Sequence, residues 1–255
     1  MSESVRGIIF SAYDRLEEAH WNIHQMEYNY HDSDAFRYSL NSFLRVIKEV
    51  PQILQMELQS RDGFTGWYKE QRKVINEVPL IKSLFKQRDI VVHQSILKPN
   101  SSATLGITEG RGIKLGLNLP LNPFQDSDFL MVNYLLTEAN SDRDSDVLGI
   151  LSDDEDQLPC IERYWRLAPF EEDILELTVQ AWETIASLIR NTIIWLDEDP
   201  SQLRLSIDCI HTSSSVALLI YKREWIEVIN AEINNGKDIN ELLYLMKVLR
   251  NTYQV

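Results

Sequence analysis

The sequence predicts a mainly α-helical fold that carries a small antiparallel β insertion. Over most of the 255-residue chain, apolar residues recur at three- and four-residue spacing, as in amphipathic helices. Between Ala103 and Asn118 the apolar spacing changes to two, which is typical of a β-hairpin. Short links join the long helical segments, and this favours an antiparallel bundle of the four-helix type.

The N-terminal helices are predicted from their apolar periodicity and from the short polar breaks between them. Pro51 falls inside the second helix and should kink it or mark a join. The predicted ranges are 3–30, 35–59, 64–76 and a segment that starts near Pro79 and contains Arg88 and His93.

The β insertion follows Pro99. Glu109-Gly110-Arg111-Gly112 forms the turn of the predicted hairpin. Phe129–Thr137 is predicted as a third strand and Ile161–Leu167 as a fourth. The acidic segment 140–157 between them is predicted to be a mobile surface loop. Helical periodicity then returns over 169–196, 213–234 and 238–252.

These elements predict one main domain with an extension. The helical bundle is assigned to residues 1–200, with the β insertion at about 101–168. Residues 201–255 are assigned to a helical C-terminal extension that packs on the bundle.

Composition narrows the class of protein. The formal net charge of −14 argues against a general nucleic-acid coat, although it allows a small cationic site on an acidic body. The 2 cysteines leave no disulfide framework and no four-cysteine zinc site. No stretch approaches the roughly 18 apolar residues that span a bilayer, and the N-terminus does not resemble a signal peptide. We therefore expect a soluble, cytoplasmic protein without a membrane partner.

Arg88 is the unusual residue of the fourth predicted helix. At about 100° per residue, it falls within an apolar stripe. A guanidinium in such a place needs partners, because arginine cannot readily lose its charge. Asp89 and His93 are four residues apart and therefore neighbour each other at the edge of the stripe. The stripe consists of Ile81, Leu84, Phe85, Val92 and Ile96.

The segment Arg88-Asp89-Ile90-Val91-Val92-His93 resembles the signature of the HEPN superfamily, which is Arg, four to six residues, then His, usually with a polar residue after the Arg. The resemblance covers about residues 3–198. It implies a HEPN-like bundle and a metal-independent endoribonuclease, often a toxin or antiviral-defence effector, that acts as a homodimer without a cofactor. An antitoxin or regulatory protein is a further implied partner. Ser95 stands where some members carry a modifiable Tyr, which argues against that form of control.

The residues of this segment suit RNA cleavage. His93 can act as general acid/base on a ribose 2′-hydroxyl or a leaving oxygen. Arg88 can anchor the phosphate and stabilise its transition-state charge. Asp89 can orient His93 and favour its charged form. Arg88 and His93 lie about 140° apart on a straight helix, so a helix end, a long Arg reach or two facing protomers must bring them to one phosphate. The alternative is a catalytically silent HEPN-like interaction module in which the three residues only clamp helices together.

The most basic stretch of the chain lies directly before Arg88. Trp67 and Tyr68 accompany its cations and could stack on bases. A phosphate-tracking face for an RNA substrate is one interpretation, and an ordinary solvated helix face is the other. The basic residues are Lys69, Arg72, Lys73, Lys82 and Lys86.

Two stretches of the sequence partly match metal-binding motifs. His20 and His24 are four apart on the first helix and could bind a metal if a third ligand came from elsewhere. Because no H-E-x-x-H motif is present, a solvated face is favoured, and a histidine-based metal protein is kept as the third alternative. The run from Asp142 begins like a calcium loop, but Val147 stands where that loop needs glycine.

Overall fold

The structure is a computed structural model. Within the described residues, the fold is mainly helical and contains a four-stranded antiparallel sheet. The chain divides into two compact units, each assembled from separated stretches. The first comprises Met1–Tyr28, Ala35–Lys98 and Glu172–Thr212; the second comprises Asn29–Asp34, Pro99–Glu171 and Ser213–Val255. The described residues are 5–93, 97, 99–110, 112–141, 146–152, 154, 156–203 and 209–252, without the side chains of 5, 6, 90–93, 202 and 203.

Long helices build the first unit. Helix α2 contacts α7, and α4, α5 and α7 contact one another. The indole Nε1 of Trp182 on α7 donates to the carbonyl of Leu16 on α2 at 3.0 Å, so a buried polar atom also joins these two helices. The helices are α1 (Val5–Ile8), α2 (Phe10–Tyr28), α3 (Ser33–Leu58, from Ala35 onward in this unit), α4 (Phe64–Glu77), α5 (Pro79–His93) and α7 (Ile174–Trp195).

Most predicted helices of this unit are confirmed, with shifts at their ends. The first predicted helix is divided between α1 and α2 at Ile9. Helix α3 continues through Pro51. Helix α7 begins at Ile174 instead of Pro169, because the side chain of Asp173 accepts a hydrogen bond from the backbone N–H of Leu175 at 2.9 Å and caps the helix there.

The sheet belongs to the second unit and has the strand order β2-β1-β3-β4. The predicted hairpin is confirmed, with Gly110 in the left-handed region (φ 62°) at its turn. The fourth predicted strand is confirmed as β3, which pairs with β1. The strands are β1 (Asn100–Glu109), β2 (Gly112–Pro120), β3 (Pro159–Arg166) and β4 (Leu218–Ile220).

Two glycines face each other across the hairpin. Gly106 on β1 pairs with Gly116 on β2. A Cβ atom at Gly106 would overlap the carbonyl oxygen of Leu115 and would lie 2.7 Å from the Cα of Gly116. The two backbones therefore approach each other more closely here than a side chain would allow.

Two sequence predictions in this unit are wrong. Phe129–Thr137 is not a strand but lies within helix α6 (Asp128–Ala139), whose buried Asp128, Met131, Val132 and Leu135 follow helical spacing. A short apolar run cannot be assigned by periodicity alone, and Leu and Met favour helices. The helix predicted over 213–234 begins only at Arg223, because Leu218–Ile220 pairs with β3 as an edge strand.

Helices α6, α8 (Arg223–Asn234) and α9 (Ile239–Thr252) pack together beside the sheet core. Ser213–Val255 belongs to the same compact unit as the sheet, and the packing of the C-terminal extension on the bundle stays a prediction. In the described part of the acidic segment 140–157, Ile150 is fully buried and Asp146 accepts a hydrogen bond from the hydroxyl of Tyr134 at 2.8 Å. The mobility of the segment stays a prediction, since several of its residues lie outside the described part of the chain. None of the described helices is both long and apolar enough to cross a membrane.

Candidate functional site

Arg88 lies on α5 beside a second cation, Lys48, which spacing along the sequence does not place there. Lys48 of α3 places its Nζ 2.5 Å from Oδ1 of Asp89, and the guanidinium of Arg88 lies 3.3 Å from the same oxygen. The Nζ of Lys48 also lies over the ring of Phe85, 5.7 Å from its centroid. The hydrogen bond from Lys48, with further help from Arg88, holds the pKa of Asp89 below its ordinary value. Two helices thus direct cations at one carboxylate oxygen.

The predicted catalytic triplet is described only in part. His93 is the last residue of α5, and its side chain lies outside the described part of the chain, as do those of Val92, Ser95 and Ile96. The side chain of Arg88 is 22% exposed, and its buried Nε has no hydrogen-bond partner among the described residues. Asp89 was predicted to orient His93, and its carboxylate binds Lys48 and Arg88.

The basic stretch contributes to a small aromatic cavity. A cavity of about 310 Å³ lies between α3 and α4. The rings of Phe64 and Tyr68 stack there with centroids 5.1 Å apart. Lys69 and Arg72 are the predicted RNA-binding residues that line it, whereas Lys73, Lys82 and Lys86 are exposed elsewhere on α4 and α5. The lining residues are Gln55, Phe64, Thr65, Tyr68, Lys69 and Arg72.

A histidine cluster is the most compact group of metal-ligand side chains among the described residues. His20 and His24 of α2 meet His211, and the ligand nitrogens of the three lie within 4.8 Å of one another. The Nε2 atoms of His24 and His211 are 3.2 Å apart. The thiol sulfur of Cys209 lies 3.5 Å from Nε2 of His20. The third ligand that the His20/His24 pair required is therefore present.

Other side chains fix the orientation of this cluster. The Nδ1 of His211 lies 2.5 Å from a carboxylate oxygen of Glu27, and the ring of His20 stacks on Trp182. Glu183 of α7 accepts from the backbone N–H of Cys209 at 3.2 Å. Burial, with the neighbouring His24 and His211, lowers the pKa of His20 to about 4. His20 is therefore neutral near pH 7, the state in which an imidazole can bind a metal.

His211 and Cys209 were missed because they lie far from α2 in the sequence. His24 and His211 are 187 positions apart, and no local spacing rule connects them. The available signal was the His-x3-His pair on α2, which required a third ligand but could not say which one.

Three polar side chains of the second unit, those of Asp128, Tyr221 and Arg250, form a buried network. Asp128 of α6 lies 3.5 Å from the guanidinium of Arg250 on α9 and accepts from the hydroxyl of Tyr221 at 2.8 Å. Burial raises the pKa of Asp128 even though Arg250 and Tyr221 act in the opposite direction. The network ties α6 to α9 and to the residue after β4.

His31 is a buried histidine of this unit. Its Nε2 lies 2.8 Å from the carbonyl oxygen of Val216, so Nε2 carries the proton, and its Nδ1 accepts from the hydroxyl of Ser127 at 2.8 Å. Burial lowers its pKa to about 3, although the hydrogen bond to Val216 acts in the opposite direction. The neutral ring is therefore the form that the folded unit requires.

We expect His31 to make the second unit sensitive to acid. Because its folded pKa lies below the unfolded value of about 6.5, the stabilisation is complete above pH 6.5 and is lost as the pH falls toward 3, by about 1.4 kcal/mol per pH unit. Urea unfolding of the wild type and of His31→Gln between pH 7 and 4 measures this. Gln can still donate to Val216 but does not titrate, so equal pH slopes in the two proteins would contradict the prediction.

Residues 9–139 match a family model described as bacteriophage lambda protein ea47, and this match covers just over half of the chain. The chain belongs to the Ea47 family. The Ea47 match includes Lys48, Arg88, His93, His20 and His24, whereas His211 and Cys209 lie beyond its end. No curated protein and no solved structure gives a significant match.

Proposed function

We propose that this Ea47-family chain is a metal-independent endoribonuclease of the HEPN type. The Arg-x4-His spacing stands at the end of helix α5, which packs with α4 and α7 as a bundle of that type would require. The observation that carries the proposal is the convergence of Lys48 and Arg88 on a single anionic oxygen, Oδ1 of Asp89. A phosphate oxygen has the same charge and the same need for donors, so it can compete for the two cations.

In the proposed reaction, the ribose 2′-hydroxyl attacks the adjacent phosphorus while the bond to the 5′-oxygen of the next nucleotide breaks. His93 transfers the proton of this exchange as general acid/base. Arg88 and Lys48 stabilise the negative charge that develops on the phosphate oxygens. The products are a 2′,3′-cyclic phosphate and a 5′-hydroxyl, and no step needs a metal ion.

The binding surface and the assembly follow from the same proposal. The cavity lined by Phe64, Tyr68, Lys69 and Arg72 offers two cations for a phosphate beside two buried aromatic rings. Since Arg88 and His93 are about 140° apart around a straight helix, two copies of the chain would form the complete site as a homodimer. A cytoplasmic toxin or antiviral-defence effector restrained by an antitoxin or regulatory protein is the role that we propose.

One observation favours a second candidate, a catalytically silent HEPN-like interaction module. Asp89 already pairs with both Lys48 and Arg88, and the three side chains join α3 to α5. A clamp of this kind stabilises the fold without any substrate.

The chemistry of the RNA ends separates the two candidates. Purified full-length protein is mixed with single-stranded RNA oligonucleotides in magnesium-free buffer, and EDTA is added together with the RNA. We expect fragments that end in a 2′,3′-cyclic phosphate and begin with a 5′-hydroxyl. Intact RNA at all protein concentrations would favour the silent module, and fragments with 5′-phosphates would contradict the proposed reaction.

A further inference from the structure

Two separations in the histidine cluster match those that a tetrahedral metal site imposes on its ligands. Zinc binds imidazole nitrogen at about 2.0–2.1 Å and thiolate sulfur at about 2.3 Å, so at a tetrahedral angle of about 109° two nitrogens lie about 3.3 Å apart and a nitrogen and a sulfur about 3.6 Å apart. The observed distances are 3.2 Å between the Nε2 atoms of His24 and His211, and 3.5 Å from Nε2 of His20 to Sγ of Cys209. Small rotations of the side chains would bring the remaining nitrogens, which lie within 4.8 Å, to ligand separations.

Neighbouring side chains fix the orientation of the cluster, as they do for the ligands of many metal sites. A metal-bound imidazole commonly donates its second N–H to a carboxylate, which fixes the tautomer and the ring orientation. Glu27 takes this position at Nδ1 of His211, so that Nε2 of His211 is left with its lone pair toward His24. Trp182 and Glu183, both on α7, hold His20 and the backbone of Cys209.

We propose that His20, His24 and His211, with Cys209 as the fourth ligand, bind one divalent transition-metal ion of the zinc class. Three imidazoles and a thiolate are soft or borderline ligands, which select zinc and its transition-metal neighbours over magnesium and calcium. The ion would join α2 to residues 209–211, which follow α7 in the same unit. It takes no part in the proposed RNA cleavage and stabilises this end of the unit.

The alternative is a hydrogen-bonded cluster without a metal. His24 can donate from Nε2 to the lone pair of Nε2 of His211, while His211 donates from Nδ1 to Glu27. These two hydrogen bonds explain the 3.2 Å and 2.5 Å distances without an ion. The two interpretations differ in whether a metal binds with defined stoichiometry and in whether the thiol of Cys209 is deprotonated.

Metal binding is tested on the full-length chain with zinc and cobalt salts as probes. After dialysis against micromolar zinc, we expect one zinc per chain and a rise in the unfolding temperature. Cobalt should give the visible absorption of a tetrahedral ion, together with a near-ultraviolet charge-transfer band from the Cys209 thiolate. Less than a tenth of an equivalent of zinc would overturn the site, and a cobalt complex without the charge-transfer band would overturn the assignment of Cys209.

Variants connect the binding to the named residues. His24→Gln and His211→Gln should lose the zinc and the thermal shift. Glu27→Gln should weaken zinc binding by about 10–100-fold, as happens when a metal-binding histidine loses the carboxylate that orients it. His31→Gln is the matched control, since it removes a histidine that is bonded to Ser127 and Val216 in the second unit, and it should keep the full zinc content. Full zinc content in both His24→Gln and His211→Gln would overturn the proposal. Far-ultraviolet circular dichroism verifies the fold of each variant, and the cobalt spectrum of the wild type tests the site without any variant.

Discussion

Replacing His93 with alanine is expected to lower the rate of RNA cleavage by about 10²–10⁴-fold, which is the usual contribution of a general acid/base. The reason is that the ribose 2′-hydroxyl is a weak nucleophile near neutral pH and its proton needs an acceptor as the new bond to phosphorus forms. RNA binding should change much less than the rate, because the imidazole acts on the transferring proton. Single-turnover cleavage of a labelled oligonucleotide, with the affinity measured separately, distinguishes the two effects.

The same single-turnover assay applied to Arg88→Ala should also show slower RNA cleavage. Loss of one preorganised donor to a developing oxyanion lowers a rate by about 10²–10³-fold. Arg45→Ala is a matched control, because it removes the same charge from an exposed position of α3, the helix that carries Lys48. Cleavage at wild-type rate in both His93→Ala and Arg88→Ala would reject the proposed chemistry and attribute the activity to a contaminating nuclease.

Asp128→Ala is expected to lower the free energy of unfolding of the second unit by about 3–5 kcal/mol, because removing one partner of a buried ion pair leaves the other charge without compensation. The side chains of Asp128 and Arg250 are 2% and 7% exposed, so water cannot replace the lost carboxylate. The hydroxyl of Tyr221 loses its acceptor as well. Urea unfolding followed by circular dichroism gives the change directly.

A double replacement tests the cause of this destabilisation. Asp128→Leu combined with Arg250→Met removes both charges and should recover most of the stability, since apolar residues of similar volume often replace a buried pair without loss. Glu232→Ala is the control, because Glu232 pairs with Lys237 at the surface of the same unit and its loss should leave the unfolding midpoint close to that of the wild type. If the double variant were less stable than Asp128→Ala alone, the uncompensated charge would not be the cause.

Local patterns in the sequence predicted the elements whose packing agrees with their own periodicity. Helix α4 is confirmed almost to the residue, and the β1–β2 hairpin follows from alternating apolar residues and a glycine turn. Local patterns led to wrong predictions where packing against distant residues decides the secondary structure. Leu218–Ile220 is a strand only because β3 offers its edge, and the apolar run in α6 is helical because three- and four-residue spacing buries it.

The candidate sites also contain residues that a local pattern can predict and residues that it cannot. Arg88 and His93 lie within one short segment, so a motif could be seen in the sequence. The partners of Asp89 and of the α2 histidines come from distant stretches, Lys48 from α3 and His211 from beyond α7. Periodicity cannot place such residues together, because their proximity is a property of how helices pack and not of their spacing along the chain.

The close approach of Gly106 and Gly116 has a consequence for the evolution of this sheet. Most positions of β2 are exposed and can exchange side chains freely, as exposed surface positions usually do. At this one rung, any mutation that adds a carbon atom to Gly106 meets backbone, which cannot move aside as a side chain can. The other positions of the hairpin should therefore vary more freely than Gly106, and relatives that have lost Gly106 should have altered the register of the hairpin or inserted a bulge there.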